Sequence, residues 1–349
     1  MALHVVLLAE PEIPVPPEHY GGIERIVHLV ATGLSRRGHE VTLFAHPESR
    51  VPCELVGWQG ARSTSRVDTA RHMAQLANWV RRQPERSRVF HSFARLAYML
   101  PLFASRTPKI QSYQRDISPR SVRWGHLLSR GSLSFTACGA SCAATGNVAG
   151  RWRVIPNALL LDRYPLRREV APDAPLVFLG RLEAIKGAHA AIEIARRTGR
   201  KLVIAGNVPE RPMDPRYAQG VLAACDGQQV VYAGPVNDAE KATLLGSAAA
   251  LLFPIEWDEP FGIVMIEALA CGAPVIAMRR GSVPEVIDDG VTGFHCANLD
   301  EMVAAVARVP SLDRAACRRA VESRFSADHV VDQYEALYAE RLADAGRGA

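Results

Sequence analysis

The chain alternates short, uninterrupted apolar runs with stretches of helical length, and it does so in two successive series. Leu3 to Ala9 is such a run, followed by a Pro-rich loop to Tyr20, a helical stretch from Gly22 to about Arg37, and a second run from Glu40 to Ala45. A strand covered on both faces has no polar side to alternate with, so runs of this kind separated by an amphipathic helix predict a βαβ unit in a parallel sheet. Gly38 stands where a helix closes on a left-handed residue. Further strands are expected near Val89-Phe90, Lys109 to Tyr113 and Leu133 to Cys138. A second series opens after Val154-Ile155-Pro156-Asn157, with strands at Leu176 to Leu179, Lys201 to Ala205, Val230 to Ala233, Leu251 to Phe253 and Pro274 to Ala277. Helices are expected from Gly187 to Arg197, Asp238 to Ala248, Ile263 to Ala270, Leu299 to Arg308 and Leu312 to Phe325.

With 349 residues the chain exceeds what one hydrophobic core usually supports. The reading is therefore α/β with two Rossmann-like parallel-sheet domains, 1–157 and 158–326. Ligands collect at the carboxyl ends of parallel strands, so two such sheets predict a ligand cleft between the domains.

A composition of 48% hydrophobic and 22% charged residues is that of an ordinary folded protein. The first ten residues carry no basic n-region, and no stretch reaches the ~18 apolar residues of a membrane span, so a soluble, cytoplasmic protein is expected. Seven cysteines without a Cys-x-x-Cys pair suit reduced thiols better than a disulfide framework or a zinc site. The net charge of +5 is uneven: residues 1–158 hold 20 Lys and Arg against 10 Asp and Glu, whereas 159–349 hold 21 against 26. A basic half suits an anionic acceptor or the inner face of an anionic membrane, or is simply a solvated arginine-rich surface. No motif for nucleic acid accompanies it.

Gly21-Gly22 falls between the first strand and its helix, where bare N–H groups make an anion site or where the glycines only permit a turn. There is no G-x-G-x-x-G and no Walker A sequence. Gly180-Arg181-Leu182-Glu183-Ala184-Ile185-Lys186-Gly187 follows a strand and carries two cations, which can embrace one diphosphate or pair on the surface. Glu259 and Glu267 bracket a helix start, with Pro260-Phe261-Gly262 between them. Carboxylates suit polyol hydroxyls, and N–H groups at the helix start suit sugar or phosphate oxygens.

Taken together, the motifs resemble the retaining GT-B glycosyltransferases of family 4 over nearly the whole chain. They run in order as Tyr20-Gly21-Gly22-Ile23-Glu24, Val154-Ile155-Pro156-Asn157, Gly180-Arg181 with Lys186-Gly187, then Glu259-Pro260-Phe261-Gly262 with Glu267-Ala268 and Gly272-Ala273-Pro274-Val275. The form of the glycine loop is similar to that of the avilamycin-pathway branch. The resemblance implies a sugar nucleotide of UDP or GDP type as co-substrate, no other cofactor, no metal, and a sugar, glycan or small-molecule acceptor. It implies that Arg181 and Lys186 hold the diphosphate, with Gly21 and Gly22 approaching from the other domain. Glu259, Pro260, Phe261 and Gly262 would then hold the donor sugar and Glu267 the ribose, with Gly180 also on the donor side and the Gly234 to Val236 turn at the base. The leaving phosphate would take the acceptor proton, and no Asp-x-Asp metal motif is present.

The chain departs from the family on the acceptor side. Phe90-His91-Ser92-Phe93 keeps one histidine of the usual pair, and Gln114, followed by Arg115, stands where many members have another. Glutamine hydrogen-bonds but does not titrate. His91 is either an acceptor-side residue or a satisfied core histidine. Ala327 to about Ala343 reads as a helix that in this family crosses back onto the N-terminal domain, or as a plain terminal helix. Two rival functions are a GT-B sugar-nucleotide epimerase and a nucleotide-sugar-binding protein that has lost turnover; a phosphorylase-like reading lacks a pyridoxal lysine context.

Overall fold

The computed structural model describes residues 2–17, 21–83, 88–115, 117–146, 150–209 and 213–347. The motif residue Tyr20, like Asp116, lies outside the described residues. The chain forms two compact units: residues 1–158 with 327–349, and residues 159–326.

The first unit is built on seven parallel strands: β1 (His4–Leu8), β2 (Glu40–Ala45), β3 (Glu54–Gly57), β4 (Val89–Ser92), β5 (Lys109–Tyr113), β6 (Leu133–Ala137) and β7 (Trp152–Val154), in the order β3-β2-β1-β4-β5-β6-β7. All five residues of β1 are buried, as befits a strand covered on both faces. Helix Gly22–Arg36 buries Ile26, Val27, Val30 and Leu34 along one stripe. It closes at Gly38, φ 81°, with the His39 N–H bonded to the Leu34 carbonyl in a Schellman arrangement. The strands at the two edges, β3 and β7, were not legible in the sequence. Both are short and only partly buried, so they lack the continuous apolar run that marks an interior strand.

Helix Ala327–Arg347 packs within this first unit. Its Val330, Val331, Tyr334, Leu337 and Tyr338 are buried, and Val331 sits where a Cβ on Gly33 would stand, 2.6 Å away. Arg37 ties the two helices further through Asp332 at 2.5 Å and Glu335 at 2.7 Å.

The second unit carries β8 (Leu176–Leu179), β9 (Leu202–Ala205), β10 (Val230–Gly234), β11 (Ala250–Phe253), β12 (Val275–Met278) and β13 (Gly293–Cys296), all parallel, in the order β10-β9-β8-β11-β12-β13. The order reverses at β8, which lies between β9 and β11; loops leaving the carboxyl ends on either side of such a switch point form a crevice. The core gathers Leu176, Phe178, Ile192, Ile204, Leu252 and Ile276 between sheet and helices. β13 and helix Pro215–Ala223 were also missed in the sequence, the strand because Gly293 and His295 interrupt its apolar character. Both units are α/β with parallel Rossmann-like sheets. Among the described residues no helix is long and apolar enough to cross a membrane.

Candidate functional site

Four loops of the second unit leave the carboxyl ends of neighbouring strands. Gly180 and Arg181 follow β8, Gly206 follows β9, Gly234 ends β10 with Val236 just beyond it, and the 254–262 segment follows β11. Glycine is required where these loops touch. A Cβ on Gly206, φ 144°, would lie 1.8 Å from the Gly180 carbonyl oxygen, and one on Gly187, φ 78°, would lie 2.0 Å from that of Pro254. The loops after β8 and β11 are thereby in backbone contact across the switch point.

That contact brings opposite charges together. Lys186 Nζ bonds directly to Glu259 Oε2, which also accepts from Trp257 Nε1 at 2.8 Å. The ammonium lies 5.0 Å from the Trp257 ring centroid, an arrangement favourable to a cation. No hydrogen bond among the described residues reaches Glu259 Oε1, so that oxygen is left for a ligand hydroxyl. Arg181 pairs with Glu183 at 2.8 Å while buried Leu182 anchors the loop between them.

The 258–262 segment is clamped from behind by residues 280–282. A Cβ on Gly281 would stand 2.4 Å from the Glu259 carbonyl oxygen. The Ser282 N–H donates to the same carbonyl at 3.0 Å, and its hydroxyl donates to the Phe261 carbonyl at 2.7 Å. Pro260 and Phe261 are buried, and Gly262, φ 75°, caps helix Ile263–Ala270. The N–H groups of Phe261 and Gly262 have no acceptor among the described residues, which leaves donors at a helix start for a ligand.

Glu267, in the middle of that helix, is only 4% exposed. Its Oε1 accepts from Tyr164 Oη at 2.8 Å and from Lys241 Nζ, which also lies 3.3 Å from Asp238. Oε2 receives no hydrogen bond from the described residues. Lys241 belongs to helix Asp238–Ser247, which begins directly after Val236 and is capped by Asn237 and Glu240 in a capping box. The loop after β10 and the Glu267 carboxylate are therefore mechanically linked. Sequence reading missed Lys241, Tyr164, Trp257 and the Arg280-Gly281-Ser282 brace. Trp257 could have been found from its place two residues before Glu259; nothing local marks the others.

In the first unit Gly21 caps helix Gly22–Arg36 with extended backbone. A Cβ there would meet Pro17 at 2.7 Å and the Glu24 carboxylate at 2.8 Å, so an acidic side chain already stands beside this helix start. Burial holds the Glu24 carboxyl above its usual range. Gln114 and Arg115 follow β5, the first half-buried and the second exposed. Arg115 reaches Glu10 at 3.4 Å, and burial raises Glu10 to about 7.

Of the two readings of His91, acceptor-side residue or satisfied core histidine, its surroundings match the second. It is 0% exposed, its Nδ1 lies 2.6 Å from Tyr338 Oη, and its Nε2 lies 2.6 Å from Ser112 Oγ, which meets Thr136. Burial lowers its pKa to about 3, which favours the neutral ring, and both ring nitrogens are already taken by protein hydroxyls.

Two Rossmann-like parallel sheets with this loop arrangement define the GT-B class of fold. Within it, residues 168–323 match the family described as Glycosyl transferases group 1. The chain is 28% identical over 370 residues to a glycogen synthase of Mycobacterium tuberculosis, covering 88% of this chain and 87% of the relative. It is 31% identical over 174 residues to a D-inositol 3-phosphate glycosyltransferase of Mycobacterium avium, covering 47% and 41% respectively. Among solved structures, AviGT4, a glycosyltransferase involved in avilamycin A biosynthesis, is similar with TM-score 0.73 and 25% identity over 98% of both chains.

Proposed function

We propose that the chain is a glycosyltransferase that moves a sugar from a UDP- or GDP-type nucleotide sugar to an acceptor hydroxyl, with retention of configuration and without a metal. The observation that carries this reading is the direct bond between Lys186 and Glu259 across the two loops at the switch point of the second sheet, with Arg181 on the first of those loops. In this reading Arg181 and Lys186 bind the diphosphate. Glu259 and the N–H groups of Phe261 and Gly262 hold the sugar hydroxyls, and Glu267 takes the ribose through its remaining oxygen. The loop at Gly234 and Val236 meets the base.

Reaction breaks the bond between the sugar C1 and the phosphate oxygen as the acceptor oxygen bonds C1 from the same face. The acceptor proton passes to the departing phosphate oxygen. Negative charge grows on the diphosphate during this step, and fixed cations already in place stabilise it without reorganisation. Lys186 exchanges part of its bond to Glu259 for phosphate, which releases the carboxylate toward the sugar. The match over residues 168–323 and the names of the relatives support transfer over epimerisation or binding alone.

A thermal-shift panel of nucleoside diphosphates and their sugars tests the donor half. A ligand at 100 times its dissociation constant adds about 2.7 kcal/mol to stability. An acceptor panel, with the anomeric configuration of the product read by NMR, tests the rest. Binding with no turnover across the panel, or epimerised donor in the absence of acceptor, would replace the proposal with one of its rivals.

A further inference from the structure

Helix Pro119–Leu128 of the first unit buries Val122 and Gly125 but leaves Trp124 56%, Leu127 64% and Leu128 50% exposed. Spaced three and four residues apart, these side chains share one face. Arg120 and Arg123 lie one turn earlier, also exposed, and Arg130 follows the helix end with φ 50°. No ion pair among the described residues engages Arg120, Arg123 or Arg130. The chain then enters the rim of a hollow of about 420 Å³, lined in part by Arg106, Arg130, Arg151 and Arg341. Its one acidic lining residue, Asp344, is already shared between Arg151 at 2.7 Å, Arg341 at 2.9 Å and Arg347 at 2.6 Å. The floor is rigid: Arg341 donates to the Gly131 carbonyl at 3.1 Å, and buried Lys109 donates to the carbonyls of Ser105 and Thr107 at 2.9 and 2.7 Å.

We propose that this face docks on an anionic lipid bilayer, with Trp124, Leu127 and Leu128 entering the headgroup layer and the arginines of the helix and hollow meeting lipid phosphates. A contiguous apolar face on a soluble surface needs a covering partner. Arg120, Arg123 and Arg130, which no ion pair among the described residues engages, select one whose surface is negative, and tryptophan beside arginine suits the interface between headgroups and acyl chains. The basic excess of residues 1–158 gives the long-range attraction. Nothing in this inference depends on the donor chemistry of the second unit.

Co-sedimentation of the full chain with phosphatidylcholine vesicles, with and without phosphatidylglycerol, decides the matter. Binding is expected only to the anionic vesicles and to weaken as salt is raised. Each arginine removed should cost roughly fivefold in partitioning, so R120S/R123S/R130S is expected to bind ~100-fold less. W124S/L127S/L128S should also lose binding while keeping its melting temperature and its response to nucleotide. Trp fluorescence should shift to the blue on anionic vesicles in the wild type and not in W124F. Failure to bind, or equal binding to both vesicle types, overturns the proposal. So does a wild-type dimer that the apolar triple variant dissociates without any vesicle binding, since a second copy would then be what covers this face.

Discussion

Tyr164 donates its hydroxyl to Oε1 of Glu267 over 2.8 Å, although 103 residues separate them in the chain. Lys241 holds the same oxygen, and both partners of the ion pair are mostly buried. Breaking a buried pair from one side strands the other charge, so Lys241→Met is expected to destabilise the protein by about 3–5 kcal/mol. Tyr164→Phe removes one hydrogen bond from an oxygen that keeps another and should cost about 1 kcal/mol. Urea denaturation followed by tryptophan fluorescence measures both; equal, small losses would show that the pair is not doing structural duty.

The bond between Lys186 and Glu259 is the corresponding test of chemistry. Lys186→Ala is expected to lower turnover at least ~100-fold, the scale of losing one preorganised transition-state donor. Steady-state kinetics at saturating donor would refute the role by returning a near-normal rate. Glu259→Gln keeps the side-chain volume but loses the charge, and should raise the donor KM as well as lower kcat.

Turnover is expected to continue at its full rate in EDTA. Loss of activity in the chelator, restored by adding divalent metal, would overturn the metal-free part of the proposal.

Two buried groups should shape stability against pH in opposite directions. His91 is lowered to about 3 from an ordinary 6.5, so between those values the unfolded chain binds the extra proton. Its contribution is present above pH 6.5 and is lost as pH falls toward 3. Glu10 is raised to about 7 from 4.5, so the folded chain binds the extra proton between those values, and its contribution is lost as pH rises toward 7. From pH 5 to 6.5 the two oppose one another, each with a slope of at most about 1.4 kcal/mol per pH unit. Relative to wild type, Glu10→Gln should therefore tilt stability upward with pH and His91→Asn should tilt it downward. Urea midpoints across this interval provide the check; tilts of the same sign would contradict it.

Gly187→Ala and Gly206→Ala should each destabilise by at least about 2 kcal/mol. The first places a Cβ 2.0 Å from one carbonyl oxygen and the second 1.8 Å from another, both at positive φ. Gly227→Ala, also at positive φ (73°) but with nothing within 4 Å of its Cβ, should cost only the backbone strain. A scan in which all three lost the same amount would discount the steric contact across the switch point.

The interior strands and the glycines at their ends were legible because they answer to local physics: a strand buried on both faces must be apolar throughout, and a loop that crowds another backbone must lack a side chain. The motif around Glu259 and Glu267 could be read for the same reason, since cap, turn and helix lie within ten residues of one another. Long-range packing decided the rest. Edge strands β3 and β7 have no full apolar run to announce them. Lys241 is an ordinary helix residue until the fold sets it on Glu267. His91 could equally have served a ligand or the core. What settles it is that Tyr338, 247 residues later, arrives on the terminal helix to bond its Nδ1 while Ser112 of the neighbouring strand takes its Nε2. A side chain's chemistry is written in the sequence, whereas its partners, and hence its charge and reach, depend on which distant segments the sheet brings beside it.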